Sequence, residues 1–129
     1  MPTPYTFSVP ALTAAHQSFI TLLDTGAAAN ATVTVHDELD VLLGTITLDA
    51  PCGTIDGPTG RLDFSFLSQE ASAPATGTID HIKLRDRDGV EHLTIPAVFG
   101  GEPVAGYAVF NTLSVQISKP VELTELYIG

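Results

Sequence analysis

Tryptophan is absent from this 129-residue chain, and cysteine and methionine occur once each. The single cysteine, Cys52, excludes an intrachain disulfide, so no covalent framework staples the fold. Basic residues are also scarce: five Lys and Arg stand against fifteen Asp and Glu, a formal charge of −10. Such a field repels phosphate backbones and anionic lipid, which argues against nucleic acid or a membrane surface as partner. The missing tryptophan counts mildly against sugar binding, which favours broad aromatic faces. The order Met1-Pro2-Thr3-Pro4-Tyr5 has neither the basic segment nor the apolar run of a secretory signal. No stretch approaches the roughly 18 apolar residues of a membrane-spanning helix, so synthesis in the cytoplasm is the expectation.

Apolar residues make up 44% of the chain and charged residues 16%, against about 25% charged in an average protein. A chain this long and this apolar can fold on a core of its own, and one domain is expected. Tyr5 to Val9 alternate apolar and polar side chains between Pro4 and Pro10, which predicts an extended N-terminal arm over residues 1–12. Ala15, Phe19, Leu22 and Leu23 then recur three or four apart, predicting one helix over 13–24, with Thr13 as N-cap and Gly26 past its end.

From there the period is two. Ala31, Val33 and Val35 alternate with Thr32, Thr34 and His36, and Val41 to Leu48 is a second strand, expected to stop at Asp49-Ala50-Pro51. Leu62, Phe64 and Phe66 share one face of a third, while Ser68 to Thr76 reads as a mobile surface loop. Asp86-Arg87-Asp88-Gly89 predicts a tight hairpin with Ile82 opposite Leu93, and two further strands are expected at Tyr107 to Ile117 and Val121 to Ile128. Short strands with turn signals about every ten residues predict a mostly β domain over 13–129, a β-sandwich or jelly roll with one N-terminal helix.

Candidate chemistry is sparse. His36-Asp37-Glu38 with Asp40 sets an imidazole near three carboxylates, but neighbours in a strand point to opposite faces, and a solvated turn is the preferred reading. His81 and His92 share the outer face of the predicted hairpin with Lys83 between them; two histidines are too few for a zinc site, and the ammonium would repel the ion. Asp86 to Gly89 lacks the later ligands of a calcium loop. Cys52 has no cation nearby in sequence to activate it, and neither a nucleophile elbow nor a nucleotide-binding loop is present. No catalytic, cofactor-binding or metal residue is therefore assigned, and the chain is read as non-enzymatic.

Several segments, taken in order, resemble a group of small proteins encoded among the structural genes of tailed bacteriophages. They are Leu22-Leu23-Asp24-Thr25-Gly26-Ala27, Val33-Thr34-Val35, Leu42-Leu43-Gly44-Thr45-Ile46-Thr47-Leu48, Ala75-Thr76-Gly77-Thr78 with the Asp86 hairpin, and Phe110-Asn111-Thr112-Leu113-Ser114-Val115 with the last strand. Ser118-Lys119-Pro120 stands where such proteins carry a glycine. The resemblance implies a virion component, most economically a capsid decoration (cement) protein outside the head, self-associated and bound to the major capsid protein or another virion protein. No cofactor comes with it. The alternatives are a tail or baseplate accessory protein and a free-standing ligand- or glycan-binding module. Interface candidates are Tyr5 and Phe7 on the arm, as strand-addition anchors, and Val98, Phe99 and Tyr107, as aromatic-rich contacts or ordinary core.

Overall fold

The computed structural model describes residues 8–27, 30–100, 102 and 107–128, with the side chains at 124 and 125 outside that set. The arm candidates Tyr5 and Phe7 lie outside the described residues. Helix α1 spans Val9–Leu23, capped by Ser8, whose hydroxyl accepts from the Ala11 backbone N–H at 3.2 Å. The helix thus starts at Val9 rather than after Thr13. Pro10 explains the shift, because a first-turn residue needs no N–H partner and proline's fixed φ already suits a helix. His16, Ile20 and Leu23 form its buried stripe.

The strands that follow are β1 Thr32–His36, β2 Leu42–Ile55, β3 Leu62–Ser68, β4 Gly77–Thr78, β5 His81–Arg85, β6 Glu91–Phe99, β7 Ala108–Phe110, β8 Ser114–Val115 and β9 Leu123–Ile128. Seven of them close into a barrel in the order β1-β2-β3-β9-β7-β6-β5, with β4 and β8 paired apart from it. This corrects the expected sandwich or jelly roll. β1 pairs with β2 on one side and β5 on the other, β9 enters between β3 and β7, and the parallel β6–β7 pair completes the circuit. Every barrel strand has two neighbours, so no edge is left to separate two facing sheets.

The inward side chains fill this barrel: Val33, Val35, Leu43, Ile46, Leu48, Leu62, Ile82, Leu84 and Phe110 are all fully buried. β2 runs on through Pro51, where its register against β3 breaks between Leu48 and Gly53; a proline is tolerated where the ladder bulges. The expected strand stop there is a bulge instead. In the β5–β6 hairpin Ile82 faces Ile95 and Leu84 faces Leu93, a register two residues from that predicted, one residue from the turn, where Asp86 pairs with Val90 rather than Gly89, and one from the irregularity after Leu84. A shift of two preserves the faces, so the apolar sides still coincide. Tyr107 to Ile117 divides into β7 and β8. The predicted mobile loop is pinned: Ala73 is buried, its N–H donates to Lys119 O, and Glu70 bridges to Val121. Ser118 takes a φ of 69°, the left-handed conformation glycine usually supplies.

Because β2 and β5 both run antiparallel to β1, their C-terminal turns share one end of the barrel. Helix α1 bridges those turns. His16 Nδ1 lies 2.6 Å from Gly60 O, and beyond the helix Arg87 N–H donates to Thr25 O while Ala27 N–H donates to Asp88 Oδ1. The opposite end carries the β1–β2 turn, the start of β5 and the end of β6.

Candidate functional site

On β1 the alternation that sends Val33 and Val35 inward sends Thr34 and His36 to the outer wall. In the β1–β5 register Thr34 stands beside Lys83 and His36 beside His81, so this wall is polar. Thr34 and His36 are nonetheless buried: Arg85 Nε donates to Thr34 Oγ1 at 3.1 Å, and the His81 ring stacks on His36.

The turn after β1 returns a carboxylate to this wall. Asp37 Oδ1 accepts from the Leu39 and Val41 N–H groups, Asp40 N–H donates to Asp37 O, and Asp40 takes a φ of 68°. Asp and Asn adopt that conformation more readily than other non-glycine residues. Asp40 Oδ1 thereby sits 2.9 Å from His81 Nε2 and 3.6 Å from His36 Nδ1. The two imidazoles stack, with centroids 5.4 Å apart and planes 11° from parallel. Lys83 Nζ binds the other Asp40 oxygen at 2.7 Å and reaches Glu91 at 3.5 Å. Behind them His81 Nδ1 lies 2.8 Å from Asp80 Oδ2, and His36 Nε2 lies 2.8 Å from Thr34 Oγ1.

These contacts move proton affinities in opposite directions. The hydrogen bond from Lys83, and after it the one from His81, holds the Asp40 carboxyl down to about 2. Burial pushes the His36 imidazole below its usual value, against the pull of Asp40. Burial also works against a charged His81, but the bonds to Asp80 and Asp40 outweigh it and raise that group. Lys83 is raised first by its bond to Asp40. Beside the cluster runs an acidic groove of about 400 Å³ lined by Asp37, Glu38, Leu39, Thr78, Ile79 and Asp80.

The sequence named each of these histidines in a different group. His36 and Asp40 do converge, through the turn rather than along the strand, whereas Asp37 is occupied in holding that turn. His81 joins them and not His92, whose Nε2 pairs with Asp86 Oδ2 at 2.8 Å. Cys52 is fully buried, and burial, with Asp24 nearby, pushes its thiol up to about 12, which leaves it a poor nucleophile.

Of the interface candidates, Phe99 is 71% exposed at the end of β6, Val98 beside it is half-buried, and Tyr107 is 39% exposed at the entry to β7. Phe99 and Tyr107 lie at opposite ends of the three-residue β6–β7 ladder, so they do not form one compact patch. No protein-family model matches the chain, and no curated protein or solved structure matches it.

Proposed function

We propose that this chain is a non-enzymatic virion structural protein of a tailed bacteriophage, a capsid decoration protein bound outside the head. Many copies, self-associated, attach to the major capsid protein and stabilise the shell through avidity and mass action. The observation that carries the reading is Phe99, 71% exposed where β6 leaves the barrel. An aromatic ring held by a rigid strand at a molecular end suits an anchor for a partner's pocket, since exposing it to water gains the isolated protein nothing. The resemblance of its motif order to small phage structural proteins supports the virion setting. The charge of −10 suits the outer surface better than the DNA-filled interior.

Co-sedimentation of the purified protein with heads that lack it tests the reading. Saturable binding in a fixed ratio to capsid subunits is expected, weakened at least tenfold by Phe99→Ala with no change in melting temperature. Failure to bind any head overturns decoration, and binding to tails instead moves the protein to a tail or baseplate role.

A further inference from the structure

We infer that His36 Nδ1, His81 Nε2 and Asp40 Oδ1 form a binding site for a zinc ion on the outer wall of the barrel, with water in the fourth position. One ligand atom from each of these three residues lies within 4.8 Å of the other two. Ligands about 2.0–2.1 Å from a tetrahedral zinc stand roughly 3.3 Å apart, and the observed separations of 2.9 and 3.6 Å from Asp40 Oδ1 bracket that spacing, while the two rings, 11° from parallel, turn toward the ion as it binds. Two imidazole nitrogens and one carboxylate oxygen are donors that zinc takes and that calcium or magnesium, bound by oxygen alone, does not favour.

The groups behind the donors strengthen the assignment. A ligating histidine commonly donates its remote N–H to an oxygen, which fixes the ring and turns the other nitrogen's lone pair toward the metal. His81 meets that requirement as it stands, and His36 meets it once its proton moves to Nε2, since Nδ1 lies 3.2 Å from the Asp40 carbonyl O, which only accepts. His81 Nδ1 faces Asp80 Oδ2 at 2.8 Å, leaving Nε2 toward Asp40. His36 Nε2 faces Thr34 Oγ1 at 2.8 Å, and that hydroxyl, with two lone pairs, can accept from it while also accepting from Arg85 Nε at 3.1 Å. Asp40 is prepared in the same way: Lys83 occupies Oδ2, so Oδ1 is the oxygen presented to both rings. The ammonium does not make the site repulsive, because Asp40, Asp80 and Glu91 outnumber it among the groups in direct contact. Asp40 is 52% exposed, so an ion and its water have a path in. Once bound, the ion would tie the β1–β2 turn to the start of β5.

The site is independent of head binding and is tested on the isolated, tag-free chain. The protein is stripped of metal, then titrated with Zn²⁺ against a chromophoric chelator and with Co²⁺ by visible absorption. One equivalent of each is expected to bind, with cobalt bands typical of low coordination and a rise in melting temperature with zinc. His81→Gln and Asp40→Asn, the latter a residue that keeps the left-handed turn accessible, are expected to lose at least 100-fold in zinc affinity. Asp80→Asn, which removes only the partner behind His81, is expected to lose about 10–100-fold. His92→Gln, on the same hairpin, is expected to bind as the parent does. Absence of a saturable one-to-one complex in the parent protein overturns the site, as does undiminished binding by both His81→Gln and Asp40→Asn.

Discussion

Asp86 shows how one carboxylate can organise a turn and couple it to pH. Its Oδ1 accepts from the Asp88 and Val90 N–H groups at 2.9 and 3.0 Å, and its Oδ2 pairs with His92 Nε2 at 2.8 Å. The His92 bond leads these contacts in holding the Asp86 carboxyl below its ordinary value. A carboxylate whose pKa is depressed by folding contributes stability that is fully present above the unfolded value, about 3.9, and is lost as pH falls through the folded value. Asp86→Asn should therefore be less stable than the parent at pH 7, with the gap narrowing on acidification to about pH 2. Urea melts of the two proteins along that series measure it, and a gap constant with pH would contradict it. The Asp-Gly signal made this turn legible in the sequence. The role of His92 was not, because its partner depends on how the turn folds back.

At the scale of elements, α1 depends on the close approach of the β5–β6 turn to Gly26. A Cβ there would stand 2.8 Å from Asp88 N and 2.9 Å from Arg87 C, and the residue has a φ of 136°. Gly26→Ala should cost more than about 1 kcal/mol, since backbone must move and the conformation disfavours any side chain. Gly57→Ala is the matched control: nothing lies within 4 Å of its Cβ, and the change should be neutral or stabilising by a few tenths of a kcal/mol. Thermal melts of both variants decide the matter. Individual strands were largely legible, since a period of two in Val33 and Val35 or Leu62 and Phe64 follows directly from which side faces the core. The helix start and the run of β2 past Pro51 were not. Proline carries two meanings, breaker or tolerated member of a first turn or bulge, and only the surrounding pairing selects one.

For the whole molecule, closure rests on strands distant in sequence. Phe110 lies at such a junction, fully buried on β7 between the parallel partner β6 and the antiparallel partner β9. Phe110→Ala should lower stability by about 3–5 kcal/mol, read as a lower urea midpoint by circular dichroism. The sequence could not distinguish barrel from sandwich because both ask for the same alternation along each strand. The His36, Asp40 and His81 cluster was hidden by sequence distance: Asp40 and His81 stand 41 residues apart and meet through the β1–β2 turn together with the β1–β5 register.

The position of β9 has a consequence for how the chain is made. It follows the other strands in chain order among the described residues, yet it belongs in the middle of the circuit, between β3 and β7. Until Leu123–Ile128 leave the ribosome, β3 and β7 both present unsatisfied ladder groups, and the nascent chain carries an open seam that another copy could enter. The residues of β9 act as a keystone, and the interval before their arrival leaves that seam open to wrong partners.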